Sequence, residues 1–190
     1  AIFQIEGEGM RKFMKQLFSD VPARIQEIES KYELSGFENP VGTGDVNAFK
    51  TELMTLGDEL FERMIAGISL YRPGPMDYIP DYINGMLNPD EIKYDTPQLE
   101  PILKSTYGVI CYQEQVMQIV RSLAGFSMPQ ADHIRKAMGK KKQEILDEYK
   151  PYFIEGSGNN VDDHGNVLNI AGCVANGIER EVAEIIWDKM

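Results

Sequence analysis

Residues 113–142 read QEQVMQIVRSLAGFSMPQADHIRKAMGKKK, and this stretch decides the fold class. Its apolar side chains recur every three or four residues in two runs, which is the spacing of one face of an α-helix. Gly125 separates the runs as a helix stop, and Ser127 can cap the second helix, which is predicted to continue to Gly139. The side chains predicted to face inward are Val116, Ile119, Val120 and Leu123 in the first helix and Ala131, Ile134, Ala137 and Met138 in the second.

Helical periodicity continues on both sides of this pair. A long helix capped by Asp45 is predicted to bury a stripe made of Val46, Phe49, Leu53, Leu56, Leu60, Phe61 and Met64. Residues 107–112 (YGVICY) fit a short strand or irregular chain, and residues 156–176 fit a loop or a weak hairpin. We therefore predict a mainly α, multi-helix domain with short irregular or β pieces. An amphipathic helix still running at Met190 indicates a fragment truncated at its C-terminus.

Composition excludes several classes of protein. The chain has 190 residues and a mean hydropathy of -0.32, and no apolar run approaches the roughly 18 residues that a membrane span needs. Two cysteines are too few for a disulfide scaffold, and no basic-then-apolar leader opens the sequence. A cytoplasmic protein with no membrane partner is expected.

Charge is unevenly distributed along the chain. With 19 basic and 30 acidic residues the net charge is -11, which argues against a freestanding nucleic-acid binder. Yet residues 121–142 hold six basic side chains and one acid, Asp132. Within this window Arg135 and Lys136 lie one turn before Gly139, followed by Lys140, Lys141 and Lys142. This arrangement fits either a site for a phosphate chain or a solvated basic helix face, and it lacks the Walker A pattern.

A second candidate contact is Arg72, in the segment YRPGP at residues 71–75. Two prolines fix the backbone there and Gly74 allows unusual dihedral angles, so the loop could display Arg72 to a base or a phosphate. The alternative is a purely structural turn with Tyr71 in the core.

No catalytic centre is predicted from the residues alone. Cys111 and His133 adjoin apolar helix positions and are better explained as a buried thiol and an ordinary histidine than as a nucleophile and its base. Glu114 lacks a second carboxylate at a definable spacing. The segment Asp162–Asp163–His164 lacks metal-ligand spacing, so no metal site is predicted.

Several short segments, read in order, resemble the alpha subunit of bacterial DNA polymerase III, the family C replicative polymerases. Each is short, but together they are specific and run through the whole chain. They are FQIE at 3–6 with GM at 9–10, LYRPGP at 70–75, YGV at 107–109, YQEQVM at 112–117, LAGF at 123–126, ADHIRKAMGKK at 131–141, FIEG at 153–156 and NGI at 176–178.

The resemblance implies that residues 1–190 are a single fragment of the fingers, the mostly helical region that closes over the incoming nucleotide. Arg135 and Lys136 would touch the triphosphate of the incoming dNTP, with Arg72, Lys140 and Lys141 lining the same cleft. The catalytic aspartates and their Mg²⁺ would belong to the palm, upstream of this chain, so the fragment alone would be an inactive piece of a DNA-directed DNA polymerase. Implied partners are the dNTP, primer-template DNA, the remaining domains of the alpha subunit and other replisome subunits.

The chain also departs from the family pattern. Residues of about 21–58 and 157–175 resemble surface insertions, and Lys136 stands where many relatives carry arginine, which removes the planar fork that bidentate phosphate contacts use. A different class of function stays open: an acidic, all-α interaction module of the replisome without a ligand site. Such a module would expose an apolar patch where a triphosphate site would gather basic side chains.

Overall fold

The computed structural model describes residues 7–32, 43–161 and 167–190, and it is mainly α-helical as predicted. The segment FQIE and most of the predicted loop at 35–43 lie outside the described residues. The helices are α1 Glu8–Leu17, α2 Val21–Lys31, α3 Thr43–Leu70, α4 Ile79–Leu87, α5 Glu100–Leu103, α6 Gln113–Ala124, α7 Met128–Gly139, α8 Gln143–Glu155 and α9 Arg180–Lys189. Single turns of 3₁₀-helix lie at Pro75–Tyr78, Pro89–Glu91, Pro97–Leu99, Lys104–Thr106 and Val174–Asn176.

The chain divides into two compact units, an N-terminal unit Ala1–Asn88 and a C-terminal unit Pro89–Met190. In the N-terminal unit, α1 packs against α3 through Met10, Phe13 and Leu17, all buried. Gly67 of α3 permits this close approach, because a Cβ there would overlap the Leu17 side chain. That residues 1–190 form a single fragment of the fingers stays a prediction.

The buried face of α3 differs from the predicted stripe. The helix begins at Thr43, before the predicted cap, and Leu53 and Phe61 are exposed, at 38% and 57% of their surface. Leu56 is buried as predicted, and the other buried side chains of the helix are Arg63, Ala66 and Leu70, none of them in the predicted stripe. A pattern of hydrophobic residues does not predict this face, because the charged residue Arg63 lies at its centre.

Arg63 is buried because an ion-pair network satisfies its guanidinium. Its two terminal nitrogens donate to the two Asp20 oxygens at 2.7 and 3.0 Å, and Nη2 also donates to Glu59 Oε1 at 2.6 Å. Nη1 further donates to the Leu17 carbonyl at 3.2 Å, and Arg24 bonds Glu59 at 2.8 Å. The network fastens the start of α2 to α3.

The C-terminal unit has one hydrophobic core beneath α5–α9. Its buried side chains include Ile119, Val120 and Leu123 of α6, Ala131 and Ile134 of α7, Phe153 and Ile154 of α8, and Ala183, Ile186 and Trp187 of α9. The Phe153 and Trp187 rings pack with their centroids 5.2 Å apart. The inward faces predicted for α6 and α7 are confirmed, except that Met138 is only partly buried. Val116 and Ala137 are buried as predicted but lie outside this cluster.

Residues 107–112 are irregular, and so are the described residues of 156–176 that precede the 3₁₀ turn at Val174–Asn176. Tyr107 and Gly108 adopt left-handed dihedrals (φ 52° and 86°), so the first segment turns instead of forming a strand. In the second, Val161 and Val167 form an isolated antiparallel bridge, as in a weak hairpin, and no strand is present in the described ranges. Ile170 and Cys173 of the second segment are buried, so this proposed insertion contributes to the core.

Candidate functional site

Helix α7 presents a charged face because its opposite face is anchored in the core. Ser127 caps the helix, and its amide donates to Gln130 Oε1 at 2.8 Å in the reciprocal arrangement of a capping box. Ala131, Ile134 and Ala137 are buried. Helical geometry then turns the side chains at positions 132, 135 and 136 outward together.

Asp132 brings Arg135 and Lys136 together. Asp132 Oδ1 accepts hydrogen bonds from Arg135 Nε at 3.0 Å and Nη2 at 2.8 Å, while Oδ2 lies 2.6 Å from Lys136 Nζ. The pKa of Asp132 is lowered, first by the hydrogen bond from Lys136 and then by that from Arg135. The carboxylate is therefore ionised at neutral pH, and the three side chains together carry one net positive charge.

Gln113, the first residue of α6, completes this cluster from the neighbouring helix. Its Oε1 accepts a hydrogen bond from Arg135 Nη1 at 2.8 Å. Its amide nitrogen also lies beside Gly139, where a Cβ would be 3.7 Å away. We call Gln113, Asp132, Arg135 and Lys136 the α7 cluster. Sequence reasoning identified its two cations and missed the roles of Gln113 and Asp132, although the spacing of Asp132 to Arg135 and Lys136 on one helix was a usable signal.

Lys140 and Lys141 follow the α7 cluster at the end of the helix, and both side chains are exposed. The Lys141 amide donates to the Met138 carbonyl at 3.0 Å and the Lys142 amide to the Ala137 carbonyl at 2.9 Å, which is the hydrogen-bond pattern of a Schellman motif. The residue with left-handed dihedrals in that motif is Lys141 (φ 53°), although this position is most often a glycine in proteins. These lysines complement the negative end of the helix dipole.

Arg72 lies in the N-terminal unit, in the turn that follows α3. Tyr71 is half-buried, stacks on Phe13 at 6.1 Å and covers Gly9 of α1, so the tyrosine has a packing role. Gly74 takes a positive φ of 103° that lets the turn close. The Arg72 side chain is exposed and has no hydrogen bond or ion pair within the described residues of its unit.

The cysteines and His133, the other side chains considered for catalysis, have packing roles. Burial raises the pKa of the Cys111 thiol to about 12, and burial likewise raises that of Cys173 to about 12, so both are protonated at neutral pH. His133 packs against the Tyr149 ring at 5.8 Å. Asp162, Asp163 and His164 lie outside the described residues. Among the residues that are described, no three His, Cys, Asp or Glu side chains gather as metal ligands, and no helix has the length and apolar character to cross a membrane.

Comparisons with known proteins agree with the resemblance seen in the sequence. The family model for the bacterial DNA polymerase III alpha subunit finger domain matches residues 47–161. DNA polymerase III subunit alpha of Staphylococcus epidermidis is 51% identical over 111 residues, which cover 58% of this chain and 10% of that protein. The same subunit of Staphylococcus aureus, strains Mu50 and N315, is 50% identical over 111 residues, with the same coverage. The chain thus spans about a tenth of the length of these relatives, and it belongs to the finger domain family of the bacterial DNA polymerase III alpha subunit.

Proposed function

We propose that this chain is the part of the fingers of a replicative DNA polymerase that binds the triphosphate of the incoming dNTP. The observation that carries the proposal is the convergence of Arg135 and Lys136 on one outward face of α7, within 3.0 Å of a shared carboxylate. Two cations held side by side can contact neighbouring phosphate oxygens, with Arg135 offering paired N–H donors and Lys136 a point charge. Lys140, Lys141 and Arg72 are proposed as further contacts to the nucleotide.

The chemical role of such cations in phosphoryl transfer is to position the nucleotide and neutralise charge. Charge spreads onto the β- and γ-phosphates as the bond to the α-phosphate breaks, and fixed cations stabilise it. In this proposal the metal ions that the family implies are held by the palm, another region of the polymerase. The described residues offer no donor set for such ions. In this proposal the chain binds the nucleotide and the DNA, and the reaction needs the rest of the polymerase.

The proposal is tested by primer extension with the full-length polymerase carrying Arg135→Ala or Lys136→Ala, with dNTP and primed DNA titrated separately. We expect kcat/KM for dNTP to fall roughly 10- to 1000-fold, the scale of a lost charge-assisted contact, with the affinity for DNA retained. Arg180→Ala and Lys150→Ala are the matched controls, because these side chains make ion pairs with Glu155 and Asp188 elsewhere in the same unit.

Two other results would contradict the proposal. Unchanged dNTP kinetics would favour the ligand-free interaction module. A loss of DNA affinity with an unchanged KM for dNTP would instead assign the cations to the nucleic-acid backbone.

A further inference from the structure

Two groups of the α7 cluster, Asp132 and Gln113, have no role in the proposed function, and each is bonded to at least one of its cations. Asp132 uses both carboxylate oxygens, one on each cation, and Gln113 reaches Arg135 from another helix. Resting on the proposed function, we propose that Gln113 and Asp132 are positioning residues for the nucleotide. Asp132 is also the internal anion with which the triphosphate competes for Lys136.

Arg135 has enough N–H donors to keep both protein partners and also bind a phosphate. A guanidinium has five N–H donors. Three are used here, by Nε and Nη2 toward Asp132 and by Nη1 toward Gln113. One N–H therefore remains on each terminal nitrogen, so Arg135 can hold a phosphate oxygen without releasing either partner.

Lys136 is held differently. Its ammonium has three donors, of which the contact with Asp132 Oδ2 at 2.6 Å uses one. The Lys136 side chain is 59% exposed against 28% for Arg135, and Gln113 holds only the arginine. Arg135 is thus the fixed cation of the pair and Lys136 the one that can swing from Asp132 to a phosphate.

Asp132 has two opposing effects on a bound triphosphate. It orients Arg135, which favours the reacting geometry. It also places a negative charge beside the phosphates and cancels one of the two positive charges, which weakens their attraction. Removing the Asp132 charge while keeping its shape should therefore tighten nucleotide binding and slow the chemical step.

Single-turnover primer extension separates these effects, because it gives the dNTP Kd and the maximal rate independently. With Asp132→Asn in the full-length polymerase we expect the Kd to fall about 2- to 5-fold, the scale of a surface charge pair, and the maximal rate to fall about 10-fold. Gln113→Glu adds an anion at the opposite end of the same guanidinium and should raise the Kd. Asp188→Asn is the control, because it removes a carboxylate that also lies 2.6 Å from a lysine, Lys150, in the same unit.

Opposite shifts of the Kd in Asp132→Asn and Gln113→Glu, with no shift in Asp188→Asn, would support the inference. If Asp132→Asn raises the Kd, Asp132 is not a competing anion, and if it leaves both constants unchanged, Asp132 does not position the cations. In either case the inference is wrong, and the proposed function stands as long as Arg135→Ala is defective. If Arg135→Ala is itself indistinguishable from the unmodified enzyme, the proposed function fails, and this inference fails with it.

Discussion

Gln115 is a buried amide whose hydrogen-bonding capacity is fully used. Its Oε1 accepts from the Cys111 and Tyr112 amides at 2.8 and 3.0 Å, and its Nε2 donates to the Ile102 carbonyl at 3.2 Å and to Thr106 Oγ1 at 2.8 Å. The side chain thereby joins the start of α6 to α5 and to the turn between them. Because Gln113 begins the same helix, Gln115 also supports the placement of the α7 cluster.

Replacing Gln115 by leucine keeps the volume and removes all four hydrogen bonds. Since buried amides and carbonyls would be left unpaired, we expect the free energy of unfolding of the C-terminal unit to fall by about 2–4 kcal/mol. Urea unfolding followed by circular dichroism measures the change. Gln118→Leu, at an exposed position of the same helix, is the control and should stay within about 0.5 kcal/mol of the original chain. Equal stabilities of the two variants would show that the buried amide is dispensable.

At the scale of elements, the two ends of the segment 156–172 cross each other in close backbone contact. The Ser157 amide donates to the Ile170 carbonyl at 2.9 Å, and the Gly172 amide donates to the Ala124 carbonyl at 2.9 Å, at the end of α6. Gly156 and Gly172 have φ of 92° and 85°, and a Cβ on Gly172 would overlap the Gly156 amide nitrogen. Gly156 and Gly172, sixteen residues apart, therefore allow the two ends of this segment to pass close to each other.

Gly172→Ala should be among the most damaging small substitutions in the chain. The added methyl meets backbone atoms that cannot rotate away, and φ is positive, so we expect a loss of at least about 3 kcal/mol in the free energy of unfolding. Gly158→Ala has a positive φ of 54° but open space around the Cβ, and should cost only about 1 kcal/mol. Thermal unfolding of the two variants checks the difference. A Gly172→Ala chain as stable as Gly158→Ala would mean that the crossing relaxes easily.

Elements also show where a sequence pattern succeeds and where it fails. Helices α6 and α7 were predictable because each has an unbroken apolar face and a local end signal, Gly125 or Ser127. The buried face of α3 was not predictable, because it contains Arg63. The burial of Arg63 depends on its ion pair with Asp20, which lies 43 positions away in sequence. Local periodicity carries no information about such a partner.

At the scale of the whole molecule, each unit has its own buried contacts. The network around Arg63 belongs to the N-terminal unit, and the aromatic core around Phe153 belongs to the C-terminal unit. The α7 cluster lies entirely in the C-terminal unit. Its cations were predictable from the basic window and the family motifs, whereas the Gln113 contact needs two helices to pair across 22 positions. That Arg72 lines the same cleft stays a prediction.

The measurement that tests the central claim most directly is photocrosslinking from the triphosphate itself. A dNTP with a photoreactive group on its γ-phosphate is bound to the full-length polymerase on a dideoxy-terminated primer, irradiated, and located by mass spectrometry of peptides. Since Arg135 and Lys136 are proposed to hold the β- and γ-phosphates, label should appear in the α7 peptide, residues 128–142, and excess natural dNTP should suppress it. Suppressible label found only outside this peptide would contradict the claim that α7 binds the triphosphate.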